Sequence, residues 1–236
     1  MSLPKLQSPY FPVTLHSNGR KVKIRPFTVK EEKLLLMASQ DKDDTAFILD
    51  TIFQVLDNCL EGDVKAKSLA TFDVEWLFIQ LRSKSVSNIT DVSFKDDEDD
   101  KVYKVSINLD DVKIEFEEGH SNKIVLDDTY TITMKYPAFS DITTSGKGDQ
   151  KVDPFVLISN SIDKLINVET DEITDLKDNS QAEIIEFIES FSSKNMRDIE
   201  NFFATMPSVK LKVEYITEDK VTKVKEIVGL VNFFTL

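Results

Sequence analysis

The sequence has little sulfur or imidazole to offer: its 236 residues include one cysteine, Cys59, and two histidines, His16 and His120. One cysteine excludes an intrachain disulfide. With no second Cys or His at ligand spacing, the common zinc frameworks are excluded too. Cys59 stands at helical spacing from apolar residues in Val55-Leu56-Asp57-Asn58-Cys59-Leu60, the setting of a small buried hydrophobe and not of a nucleophile. Glycine-based motifs are missing as well. There is no Gly-x-Ser-x-Gly elbow and no dinucleotide fingerprint. Gly146-Lys147 lacks the upstream glycine and the following Ser or Thr of a phosphate loop.

Basic charge is in deficit, with 29 Lys and Arg against 42 Asp and Glu and a net charge of -13. Nucleic-acid affinity comes mainly from cations that neutralise phosphates, so this chain starts with the wrong field. The run Arg20-Lys21-Val22-Lys23-Ile24-Arg25 alternates as a strand does and reads as a solvated strand face. No apolar run approaches the roughly 18 residues of a membrane span. Met1-Ser2-Leu3-Pro4-Lys5 lacks the apolar stretch of a secretory signal, so the chain is expected to stay in the cytosol and Asn88-Ile89-Thr90 to be an accidental sequon. The acidic pairs Asp110-Asp111 and Asp127-Asp128 flank strand patterns as turn residues. The expectation is therefore no catalytic residue, no cofactor, no metal, no nucleic acid, no membrane and no small-molecule substrate.

Apolar mass is plentiful. Sixteen Phe supply buried area without a polar tip, enough for a real core. The spacing predicts a hairpin from Phe11–Leu15 and Lys21–Arg25 around Asn18-Gly19. Thr28-Val29-Lys30-Glu31 reads as a capping box opening a helix through Ala38. A second helix carries Ile48, Ile52, Val55, Leu56 and Cys59 on one face; a third, from Phe72 to Lys84, has two apolar stripes and so belongs inside the domain.

From Val86 to Tyr136 the period becomes two, with Val112, Ile114 and Phe116, then Tyr130, Ile132, Met134 and Tyr136, on alternate positions. Lys95–Lys101 between the first of these strands lacks calcium-loop spacing and reads as a solvated hairpin tip. Helix returns at Asp153-Pro154, with Phe155, Ile158, Ile162, Leu165 and Ile166 as its inward stripe. Ser180-Gln181-Ala182-Glu183 is a second capping box, and another helix carries Met196, Ile199, Phe203 and Met206. Val209, Leu211, Val213 and Tyr215 begin a closing hairpin.

The fold class is α+β: a helical core, an antiparallel β meander in the middle of the chain and a C-terminal β hairpin. The segments are 1–85, a hairpin plus helices; 86–136, the β region, read as an insertion; and 137–236, helical and closing with the hairpin.

Two stretches carry a family likeness. They are Lys23-Ile24-Arg25-Pro26-Phe27-Thr28-Val29-Lys30-Glu31-Glu32-Lys33-Leu34-Leu35-Leu36-Met37-Ala38 and Thr71-Phe72-Asp73-Val74-Glu75-Trp76-Leu77-Phe78-Ile79-Gln80-Leu81-Arg82-Ser83-Lys84-Ser85-Val86. Weaker echoes are Ser106–Asp111, Met134–Pro137 and Gly229–Phe234. In these the chain resembles the baseplate hub subunit family of T-even-type contractile-tailed phages. The resemblance implies a structural component of the central hub, acting through contacts with other baseplate hub and tail proteins during tail assembly. The alternative is a non-virion chaperone that assists hub assembly. Either works in the host cytoplasm, and the structural component ends in the virion tail baseplate. Many members carry a Cys-x-x-Cys pair before the final Phe-Phe, but here Val213–Lys220 offers no zinc ligand. The candidate partner interface is apolar sequence at the two ends: Leu3, Leu6, Tyr10 and Phe11 in a proline-spaced arm, and Leu230, Phe233 and Phe234.

Overall fold

The computed structural model describes residues 6, 8–40, 44–96, 98–143 and 153–228. Along the chain run β1 (Phe11–Thr14), β2 (Lys21–Ile24), α1 (Val29–Gln40), α2 (Thr45–Cys59), α3 (Thr71–Ser85), β3 (Ile89–Lys95), β4 (Val102–Asn108) and β5 (Lys113–Glu115). There follow β6 (Lys123–Val125), β7 (Tyr130–Met134), α4 (Phe139–Thr143), α5 (Pro154–Ser161), β8 (Ile162–Asn167) and β9 (Ile173–Asp175). Last come α6 (Gln181–Glu189), α7 (Ser193–Ala204), β10 (Ser208–Ile216) and β11 (Thr222–Val228). The class is α+β, with small antiparallel sheets and a closing hairpin, β10–β11. The period-two stretch is antiparallel strand, and its strands are shared among three sheets: β3 with β4, β5 with β10, and β6–β7 with β8–β9.

Two compact units divide the chain by contact, where the segments 1–85, 86–136 and 137–236 mark changes of period. The first unit holds the described parts of residues 1–67, 72–115 and 208–236. Its hairpin turns at Gly19, whose φ of 70° suits a residue without Cβ. The turn is pinned by Asp73 in the first turn of α3, whose Oδ1 accepts the His16 N–H at 2.6 Å and the Ser17 N–H at 3.3 Å. That carboxylate also lies at the positive end of its own helix. α2 buries Ile48, Ile52, Phe53, Val55, Leu56 and Cys59. α3 is covered nearly all round, as its two stripes imply.

The second unit holds residues 68–71 and 116–207, over their described parts. Its core joins Ile124, Ile132 and Met134 of the sheet to Ile158 and Ile162, and to Ile184, Ile188, Ile199 and Phe202 of the last two helices. Both helices open with full capping boxes, Ser180 with Glu183 and Ser192 with Asn195. Asn195 also donates from Nδ2 to the carbonyls of Val125 and Leu126, at 3.2 and 3.0 Å, and so fastens α7 to the end of β6.

The expected helical stripe through Ile166 is corrected here. α5 ends at Ser161, and Ile162–Asn167 is strand β8, paired with β7 through Ile132↔Leu165 and Thr131↔Ile166. The hydroxyls of Ser159 and Ser161 bond back to the carbonyls of Val156 and Leu157, and β-branched isoleucines follow, a composition that favours extended chain once a partner strand is present.

Asn195→Ala leaves two carbonyls and one capping amide without partners. The expected loss is about 2 kcal/mol in the second unit, read as a lowered urea midpoint; an unchanged midpoint would show that the fastening contributes nothing.

Candidate functional site

The groups with chemical potential are engaged in packing. Cys59 is buried at the end of α2, and burial pushes its thiol up to about 11, so it carries no thiolate at neutral pH. His16 lies edge-on to Trp76, ring centres 5.2 Å apart. His120 has both nitrogens bonded: Nδ1 is 2.8 Å from Thr205 Oγ1 and Nε2 is 2.9 Å from Tyr136 Oη. Thr205 gives its own proton to the Asn201 carbonyl at 2.7 Å, so its oxygen accepts from His120 Nδ1–H. The ring is stacked with Tyr136 and Phe202, and burial lowers its pKa, which favours the neutral imidazole. Asp110 accepts from Ser83 and Asn88, and Asp127 from the amides of Thr129 and Tyr130, as turn residues do.

Among the described residues, no group of three or more His, Cys, Asp or Glu is placed to hold a metal ion, and no helix is long and apolar enough to cross a membrane. An open depression of about 310 Å³ in the second unit is lined by polar groups with other work. Lys177 is paired with Asp175, Gln181 with Asn160, and Ser159 with a backbone carbonyl.

The first unit contains two buried polar clusters. One lies at the expected solvated tip, where Lys95, Glu98, Asp100 and Lys101 are exposed but Asp96 departs from the expectation at 2% exposed. It continues the inward alternation of Val92 and Phe94, and its carboxylate meets the buried face of the closing hairpin. Oδ2 accepts from the Tyr215 hydroxyl and, at 3.0 Å, from Lys223 Nζ. Oδ1 accepts from the Glu98 amide at 2.7 Å and the Asp99 amide at 3.2 Å. Phe94 and Tyr103 pack their rings on Tyr215 at 4.9 and 5.0 Å. The Tyr215 bond, helped by those amides and Lys223, holds the Asp96 carboxyl far below the usual carboxylate range. In return it pushes the Tyr215 hydroxyl up to about 12.

The other cluster explains Lys23–Ala38. Arg25 bonds Glu31 Oε1 at 2.9 Å, the Asn58 carbonyl at 2.9 Å and the Pro26 carbonyl at 3.0 Å. Glu31 Oε2 accepts the Thr28 amide at 2.7 Å and also the Thr28 hydroxyl. Strand β2, the start of α1 and the end of α2 thus meet on one ion pair. Buried Glu31 is held down to about 2 because the bonds from Arg25 and Thr28 outweigh desolvation.

Residues 8–235 match the family model described as T4 bacteriophage base plate protein. The chain belongs to that family. Neither a curated protein nor a solved structure gives a match. As a base plate protein it is a component of a phage tail, and both buried clusters fall inside the matched span.

The apolar ends divide by description. Leu6 is 97% exposed and Tyr10 is exposed, while Phe11 pairs with Ile24 in the first hairpin. Leu3, Leu230, Phe233 and Phe234 lie outside the described residues. The Asp96 cluster was missed from sequence. The available signal was its phase: an Asp two residues beyond Phe94 on an inward-facing series, and a Tyr ending another.

Both clusters set a pH window. Glu31 has a folded pKa depressed from 4.5 to about 2, so its stabilisation is complete above 4.5 and is lost as pH falls toward 2. Glu31→Gln should flatten that part of an acid-unfolding curve. Tyr215 has a folded pKa raised from 10.0 to about 12, so its share is complete below 10 and is lost as pH rises to 12. Tyr215→Phe should lower the thermal midpoint at neutral pH and remove that alkaline loss; a variant with wild-type slopes at both limbs would show that neither cluster is coupled to folding.

Proposed function

We propose that this base plate protein is a structural component of the central hub, acting through protein–protein contacts during contractile tail assembly. The observation that carries the reading is a family match spanning residues 8–235, nearly the whole chain. The hub assignment within the base plate draws its support from the resemblance of Lys23–Ala38 and Thr71–Val86 to hub subunits. A non-catalytic role is supported by the state of the reactive groups, since Cys59 is a buried thiol and His120 is bonded at both ring nitrogens. The net charge of -13 speaks against a nucleic-acid partner. The partners are other hub and tail proteins, met first in the host cytoplasm and then in the virion.

The contact residues of this reading are Leu3, Leu6, Tyr10 and Phe11 at one end and Leu230, Phe233 and Phe234 at the other. Phe11 and Pro12 already form the first rungs of the β1–β2 hairpin, so a clean test removes residues 3–9 only. That truncation is expected to leave the thermal midpoint of the isolated protein unchanged and to block its incorporation into base plates. Normal incorporation would remove the arm from the interface. Detection of the wild-type chain in purified virions, at the central hub, is expected; its presence during assembly and absence from virions would show the chaperone alternative instead.

A further inference from the structure

We propose that Asn18 is a site of covalent modification, losing its side-chain amide through a succinimide formed with the Gly19 nitrogen, at a rate governed by Asp73. The inference stands on the first hairpin alone and holds whatever the place of the chain in the tail.

The chain has 6 glycines, and only Gly19 follows an asparagine. In that order the next backbone nitrogen stands beside a side-chain carbonyl carbon, with no Cβ to crowd it. A Cβ built on Gly19 would meet nothing within 4 Å, so the surrounding space is open. Asn18 and Gly19 are both exposed, and water reaches them. Asn18 Oδ1 accepts the Arg20 N–H at 2.9 Å. That bond turns the side-chain amide back over the Gly19 peptide. It also sets an N–H donor on the oxygen that gains charge when Cγ is attacked.

The other asparagines are set apart by their surroundings. The two followed by serine are locked: Ser161 is fully buried, and the Ser180 N–H donates to Glu183 Oε2 at 2.7 Å within its capping box. The remaining ones precede larger side chains. At Asn18 the turn itself is the restraint. The Gly19 N–H donates to the Leu15 carbonyl at 2.9 Å, and this bond must open before the nitrogen can attack. Asp73 keeps the turn closed from outside the loop, because its Oδ1 accepts the His16 and Ser17 amides at 2.6 and 3.3 Å.

Once the turn opens, the steps balance with water alone. The Gly19 nitrogen gives its proton to hydroxide and bonds to Asn18 Cγ. The Cγ–Nδ2 bond breaks, and the amide nitrogen leaves as ammonia with a proton taken from water. Water then opens the ring at either carbonyl, giving aspartate or isoaspartate, and in isoaspartate the main chain is lengthened by a methylene. Either product makes the net charge of -13 more negative. The new carboxylate stands next in sequence to Ser17, whose amide Asp73 already holds, and two like charges then oppose each other at one turn. The lengthened chain also strains the pair of bonds that close the loop, Leu15 N–H to Arg20 and Gly19 N–H to Leu15. Modified copies therefore have the weaker hairpin.

The test incubates the full chain at mildly alkaline pH and follows it by ion exchange and peptide mass spectrometry. Expected is a more acidic species whose change lies in the peptide carrying residues 18 and 19, part of it isoaspartate, formed ahead of conversion at any other asparagine. Asn18→Gln should not form it, because the longer side chain closes a larger ring more slowly. Asp73→Asn keeps the shape but replaces charge-assisted bonds with neutral ones, and should raise the rate about tenfold. Hydrogen exchange at the Gly19 amide reads the same opening. In wild type under sub-denaturing urea the exchange and conversion rates should rise together, which tests the Asp73-held turn even where the variant does not fold. Separated from its parent, the modified wild type should melt at a lower temperature. No conversion at Asn18, faster conversion at another asparagine, a folded Asp73→Asn variant with the wild-type rate, or a conversion rate that ignores Gly19 exchange would each overturn the proposal.

Discussion

A single guanidinium decides how the first unit is put together. Arg25 leaves β2 at the point where Pro26 stops the strand, and it must satisfy its donors without leaving the protein. It does so on the carboxylate of Glu31, on the carbonyl of Asn58 and on the carbonyl of Pro26. Each partner belongs to a different part of the chain, so strand, first helix and second helix cannot shift independently. The cation also sits where α2 presents its free carbonyls, the negative end of that helix. The backbone follows: Arg25 N–H donates to the Cys59 carbonyl at 3.0 Å, and Glu61 N–H to Lys23 at 2.9 Å.

Such a pair is a constraint more than a source of stability. Side-chain exposure is 20% for Arg25 and 7% for Glu31, so both ions lose much of their hydration. A buried pair replaced by well-packed apolar groups is often no less stable, whereas removing one partner alone commonly costs about 3 kcal/mol or more. What the pair adds is position: only one placement of α1 satisfies every donor. Asp96 has the same logic within the same unit. A carboxylate that accepts from Tyr215, Lys223 and two amides tolerates little sliding of the β3–β4 tip along the closing hairpin.

These clusters also show where sequence reading reaches. Local signals translated directly: Ser180 and Glu183 form the box their spacing predicts, and Asp153 caps Phe155 before Pro154 opens α5. Alternation gave strands, because one buried face per strand is a local rule. It could not give partners. β5 pairs with β10 through Ile114↔Val209, and nothing near residue 114 specifies residue 209. The boundary at Ser161 was illegible for a related reason: Ile158 and Ile162 meet the same core whether the chain between them is helix or the start of a strand. Of the candidate site, the buried Cys59 and the Thr28–Glu31 contact could be read from local spacing, but not the pairing of Glu31 with Arg25. The burial of Asp96 could not be read either, because beside the local amides of Glu98 and Asp99 its side-chain donors, Tyr215 and Lys223, arrive from more than a hundred residues away.

That separation bears on how the chain is assembled. The second unit is built almost wholly from residues 116–207, joined by the short stretch 68–71, where Ala70 bridges Ala138. The first unit is discontinuous and cannot complete its three-stranded sheet until β10 reaches β5. Closing so long a loop costs entropy before any contact offsets it, and the cost falls if the intervening residues are already compact. The Tyr215 and Lys223 contacts to Asp96 form only at that closing step. Completion of the first unit therefore waits on the last strands of the chain, while α1, held by Arg25 and Glu31 through sequence-near contacts, needs none of them.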